Sequence, residues 1–139
     1  MDKLIIEGGV PLKGMVSAGG AKNSALPLLA ASLLTGERCR IKNVPFLRDV
    51  NTMIKILRSL GAQVEFSGGE VMVEAKHLKS FTADYKLVST MRASFCVLGP
   101  LLGRLKKAKV SLPGGCMIGE RPVDLHIKGI KTLGVKVDV

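Results

Sequence analysis

Asp49–Glu74 reads DVNTMIKILRSLGAQVEFSGGEVMVE. Apolar residues at Met53, Ile54, Ile56, Leu57 and Leu60 keep helical spacing, Asp49 offers an N-cap oxygen, and Gly61 offers a stop. Past that glycine the period falls to two. Gln63–Phe66 and Glu70–Glu74 alternate about Ser67-Gly68-Gly69, which predicts a hairpin with a tight turn. A helix followed by a two-stranded ribbon cannot bury both faces alone, so packing partners are expected on either side.

Upstream, Cys39-Arg40-Ile41 predicts a short strand, and Lys22–Leu34 a helix ended by Gly36. Pro27 lies inside that helix and is expected to delay its start or bend it. Leu4-Ile5-Ile6 and Met15-Val16 predict short strands joined through Gly8-Gly9 and Gly14.

Downstream the same order returns. Met91-Arg92-Ala93-Ser94 opens a second apolar helix 69 positions after Lys22-Asn23-Ser24-Ala25 opens the first. Val110-Ser111-Leu112-Pro113 corresponds to Ile41–Pro45, a strand entering a proline loop. His126-Ile127, Leu133-Gly134-Val135 and Val137 repeat Met53-Ile54, Leu60-Gly61-Ala62 and Val64 at a spacing of 73. Between these landmarks the spacing grows by four residues, and the growth falls in the loop that carries Cys116. The expectation is an α/β domain of repeated β-α-β-α-β-β units: repeat one over about 21–90, repeat two over about 91–139. Repeat two is cut short inside the first strand of its hairpin. A sheet ending there has an unpaired edge, so the 139 residues are expected to be the front part of a longer protein.

Composition narrows the function classes. Lysine and arginine number 21 against 11 acidic residues, a net charge of +10 that favours anionic partners. With no tryptophan, one tyrosine and four phenylalanines, the chain has little material for stacking on nucleic-acid bases. The only tight basic cluster, Lys106-Lys107-Ala108-Lys109, reads as a solvated turn or helix end. Three unpaired cysteines (Cys39, Cys96, Cys116) without C-x-x-C spacing argue against a disulfide framework or a zinc site, and His77 and His126 have no metal-type partners. The apolar run Ala25–Leu34 is too short to span a bilayer and the N-terminus is no signal peptide. The chain is therefore expected in the cytoplasm, with no metal, no cofactor, no nucleic acid, no membrane and no obligate protein partner.

Cys39 and Cys96 sit in apolar segments and read as core. Cys116 differs. It lies on the glycine-flexed loop SLPGGCMIGERPVDLH (111–126), near Arg121 and a helix start, both of which favour a thiolate. Gly19-Gly20-Ala21-Lys22-Asn23 sets a lysine and an amide after a glycine turn at a helix N-terminus, an anion-attracting arrangement. It is not a Walker A loop, because Gly20 stands where the lysine is required. Arg92 opens the second helix in the equivalent place, and Lys22, Arg92 and Arg121 form a candidate cation set for phosphate and carboxylate.

Three motifs in this order, Gly-Gly-Ala-Lys22-Asn23-Ser, Thr90-Met91-Arg92-Ala-Ser and Pro113-Gly-Gly-Cys116-x-x-Gly119-x-Arg121-Pro122-Val123-Asp124-Leu125-His126, resemble the N-terminal part of the UDP-N-acetylglucosamine enolpyruvyl transferases over essentially the whole chain. The resemblance implies an inside-out α/β fold in which residues 1–20 supply strands to a second domain and 21–139 are an incomplete first domain. It also implies transfer of the enolpyruvyl group of phosphoenolpyruvate to the 3-hydroxyl of UDP-N-acetylglucosamine with release of phosphate, the first committed step of peptidoglycan synthesis. By motif, Cys116 is the general acid, forms a covalent phosphoenolpyruvate adduct and is the target of fosfomycin. Lys22, Asn23 and Arg92 bind substrates, and Arg121, Pro122, Val123, Asp124 and Leu125 lie along the UDP portion. The implied catalytic base and a further arginine fall beyond Val139, so the chain alone is expected to be inactive. Cys96 departs from the pattern, since many members carry an aromatic residue there. The shikimate-pathway sibling, which shares the fold but lacks the cysteine loop, and a non-catalytic anion-binding remnant are the alternatives.

Overall fold

A computed structural model describes residues 3–112 and 123–139. Helix α1 (Lys22–Ala31) runs on as a 3-10 turn over Ser32–Leu34 and leads to β1 (Arg38–Ile41). Then come α2 (Arg48–Ser59), β2 (Gln63–Ser67), β3 (Glu70–Glu74) and the short α3 (Tyr85–Val88). A 3-10 segment, Arg92–Val97, runs directly into α4 (Leu98–Leu105), and α5 (Asp124–Thr132) follows.

The stretch from α2 to β3 forms as its pattern predicts. Val50, Met53, Ile54, Ile56 and Leu57 of α2 are buried on one face. Gly61 ends the helix at φ 106, and the N–H groups of Gly61 and Ala62 donate to the carbonyls of Arg58 and Leu57, both at 3.0 Å. At α5, Gly134 has φ 90 and the N–H groups of Gly134 and Val135 donate to Lys131 (2.9 Å) and Ile130 (3.3 Å). The two helix ends, 73 positions apart, are thus built alike. Gly68 and Gly69 both take positive φ, 56 and 75, as a two-residue hairpin turn requires, so β2 and β3 pair without a bulge.

The three strands form one antiparallel sheet in the order β1-β3-β2, with Cys39, Val73 and Val64 aligned across it. Val64, Val71 and Val73 are buried against the helices. The other face meets solvent and carries the ion pairs Arg40–Glu70 (2.6 Å) and Arg38–Glu65 (3.5 Å). The hydrogen bond from Arg40 holds the Glu70 carboxyl below the usual range. The helices occupy the middle of the body. Leu29, Leu33, Met53, Ile56, Leu57, Val97 and Leu101 are fully buried in a common core, each such side chain stabilising by about 1.5–3 kcal/mol. Arg104 of α4 fastens this core to repeat one: its guanidinium donates to the carbonyls of Leu33, Thr35, Ala75 and Lys76.

Several expectations are corrected. Asp49 is not an N-cap; Leu47 is, and Asp49 lies one residue inside the first turn. The first helix does not start late at Pro27 but runs from Lys22 through it, with Ala25, Leu26, Leu29 and Ala30 buried on both sides of the ring. The second apolar helix opens as a 3-10 segment. The α-helical pattern begins only at Leu98, which puts Pro100 in a first turn where its missing N–H is not needed. Leu4–Ile6 and Met15–Val16 form no strand, and their side chains are exposed. A strand requires a hydrogen-bonding neighbour, and none faces these segments among the described residues. For the same reason Val110–Leu112 and 136–139 are not strands; the nearest pairing is a single parallel bridge between Thr82 and Lys109. No helix among the described residues is long and apolar enough to cross a membrane.

Candidate active site

The start of α1 is fixed by a close backbone approach. A Cβ at Gly20 would overlap the carbonyl oxygen of Asn43, so only glycine lets the chain pass there. Ala21 then caps α1 from extended backbone, with no side-chain bond and no acidic residue in the first turn. The leading N–H groups of α1 therefore have no carboxylate from their own helix, and the positive end of the dipole is open to an anion.

Lys22 and Asn23, at this start, line a cleft of about 1390 Å³. Thr90, Met91, Arg92 and later residues of the 3-10 segment also line it, as do Val123 and residues of α5. Arg92 Nε is buried with no hydrogen-bond partner among the described residues. A buried guanidinium donor left unpaired is costly. Phe95 stacks edge-on against His126 of α5 (centroids 5.9 Å apart, planes at 84°), tying the second repeat's opening segment to its closing helix.

Of the residues singled out by motif, Lys22, Asn23, Arg92, Val123 and Leu125 meet in this one cleft. Asp124 is the exposed first residue of α5 and does not line it. Cys116, Arg121 and Pro122 lie outside the described residues.

Three lining residues escaped the sequence. Asp49 faces the cleft and pairs with Lys22, Nζ to Oδ2 at 2.8 Å. Nothing in the sequence links residues 27 positions apart on different helices. Cys96 is not core but exposed on the cleft wall. Partial desolvation by its neighbours pushes the Cys96 thiol up, partly opposed by the Arg92 cation. His126, exposed on α5, lines the cleft as well. Two cations, an amide and an open helix N-terminus can together bind a multiply charged anion.

A family model described as EPSP synthase (3-phosphoshikimate 1-carboxyvinyltransferase) matches residues 6–139. The UDP-N-acetylglucosamine 1-carboxyvinyltransferase of Methylacidiphilum infernorum is 54% identical over 139 residues, covering 100% of this chain and 33% of the relative. The enzyme of the same name from Geobacter metallireducens is 55% identical over 137 residues, 99% of this chain and 33% of the relative. The chain thus spans about a third of the length of the curated relatives it matches. Among solved structures, the enolpyruvyl transferase NikO from Streptomyces tendae is similar at 27% identity and a TM-score of 0.62, over 70% of this chain and 23% of that one. With the α/β fold, the doubled helix ends and a family match over nearly its whole length, the chain belongs to the EPSP synthase (3-phosphoshikimate 1-carboxyvinyltransferase) family.

Proposed function

We propose that the protein carrying this chain moves the enolpyruvyl group of phosphoenolpyruvate to the 3-hydroxyl of UDP-N-acetylglucosamine and releases phosphate, in the cytoplasm, as a step of peptidoglycan synthesis. The observation that carries this reading is the meeting of Lys22, Asn23 and Arg92 in one cleft, in a chain more than half identical to carboxyvinyltransferases named for that acceptor.

The chemistry assigns roles. The acceptor oxygen adds to C2 of phosphoenolpyruvate as a proton is delivered to C3. Loss of phosphate and of a C3 proton then restores the double bond, so the net change is substitution at C2. Cys116 delivers the first proton as general acid, and it is the thiol that forms a covalent adduct with phosphoenolpyruvate and with fosfomycin. Lys22 and Arg92 meet the phosphate and carboxylate, whose charge shifts as phosphate departs. Asn23 supplies an amide to the nucleotide sugar, and Arg121, Pro122, Val123, Asp124 and Leu125 run along the UDP portion. Residues 1–20 supply strands to a second domain.

The test is steady-state phosphate release by the complete protein. Turnover is expected with phosphoenolpyruvate plus UDP-N-acetylglucosamine and not with shikimate 3-phosphate. Cys116→Ala is expected to lower kcat at least 100-fold, a general-acid loss. Turnover with shikimate 3-phosphate alone would reassign the acceptor, and full activity of Cys116→Ala would remove the cysteine from the mechanism.

A further inference from the structure

We propose that Asp49 is a positioning residue of this site: its carboxylate holds the Lys22 ammonium at the cleft, in place to meet the anionic substrate. The inference rests on the proposed activity and deepens it.

Lys22 Nζ and Asp49 Oδ2 are 2.8 Å apart and bridge the first turns of α1 and α2. A lysine is a point charge on a flexible four-carbon stem, and it directs nothing unless its end is held. At Lys22 the need is greater, because the N-terminal end of α1 repels a cation and its first turn has no acid to compensate. Asp49 supplies that compensation from the neighbouring helix. Its own place, in the first turn of α2, is one where a carboxylate is favoured.

The pair is not needed to build the fold. Asp49 makes no capping bond, and α1 and α2 meet through core side chains such as Leu29 and Met53. Both charged groups remain part-exposed, at 46% and 34%, and ion pairs so placed add little to stability. What the pair fixes is direction. An ammonium has three N–H donors; one serves Asp49, and two stay available to an anion entering the cleft. Arg92, which lines the same cleft, provides the second anchor.

The complete protein decides the matter with Asp49→Asn, Asp49→Glu, Lys22→Ala and the Lys22→Ala/Asp49→Asn double variant. Three quantities are read: kcat and KM for each substrate, equilibrium dialysis of phosphoenolpyruvate without the nucleotide sugar, and the thermal midpoint. Asp49→Asn is expected to weaken phosphoenolpyruvate binding about tenfold, leaving the thermal midpoint and the KM for the nucleotide sugar nearly unchanged. Asp49→Glu is expected to recover most of the loss. In the Lys22→Ala background Asp49→Asn is expected to add nothing, because its effect passes through Lys22. If Asp49 were only a competing negative charge, Asp49→Asn would tighten binding; that result, or additive losses in the double variant, overturns the inference. Dialysis needs no turnover. An unaltered protein that binds phosphoenolpyruvate but does not use UDP-N-acetylglucosamine therefore defeats the acceptor assignment and leaves Asp49 judged by binding.

Discussion

Cys96 sits between Phe95 and Val97, both buried, and from its neighbours alone it belongs in the core. The 3-10 winding of Arg92–Val97 turns it out to the cleft instead. There its surroundings disfavour the thiolate, and Arg92 only partly restores it. In a protein whose other cysteines are replaced by serine, alkylation of Cys96 should therefore rise at a more alkaline pH than that of free cysteine, about 8.5. Arg92→Gln removes the favourable charge found among the described residues and should move the profile further in the same direction. Rate against pH, with the labelled peptide mapped, checks both; a midpoint on the acid side of free cysteine contradicts them. Lys22, Asn23 and Arg92, singled out beside expected helix starts, line one cleft, and each position carries its reason locally. Single residues were illegible where the reason was a partner elsewhere. Asp49 looked like a cap because capping is local, and its true partner is on another helix.

Elements whose faces are buried by neighbours inside the chain were legible. Helix α2 and the β2–β3 hairpin follow their periodicities to within a residue or so, since one side of each meets the common core. Elements whose neighbours are not among the described residues were overcalled, as with Leu4–Ile6, Met15–Val16 and Val110, because hydrophobic alternation signals a wish for pairing and not the pair itself. Helix α1 owes its position to contact as much as to propensity. Asn43, at φ 55, turns its carbonyl onto Gly20, and the helix begins two residues later. Gly20→Ala must push this junction apart. It should cost about 1–3 kcal/mol, the range for overpacking, seen as an earlier midpoint in urea unfolding with an unchanged slope. A midpoint equal to that of the unaltered protein would show that the strand of chain before α1 yields freely.

Across the molecule the two repeats are unequally satisfied. Helix α2 buries five residues, whereas its counterpart α5 buries none, and Leu125 and Leu133 are exposed with Leu4, Ile5, Ile6, Val10, Leu12, Met15 and Val16. An apolar surface of this extent binds dyes and other copies of itself. The 139-residue chain by itself should therefore enhance anilinonaphthalene sulfonate fluorescence and associate with rising concentration in sedimentation velocity. A monodisperse, dye-silent monomer would count against this. Arg104 carries a different consequence, one of timing. Its carbonyl partners lie 71, 69, 29 and 28 residues earlier in the chain, at the ends of the first helix and of the sheet. Those carbonyls are in place only after the first repeat has closed, so the arginine latches late, after the slow search for long-range contacts is over. A latch of that kind does little to start folding. It acts chiefly on the rate of coming apart, and lengthens the life of the assembled pair of repeats once they have met.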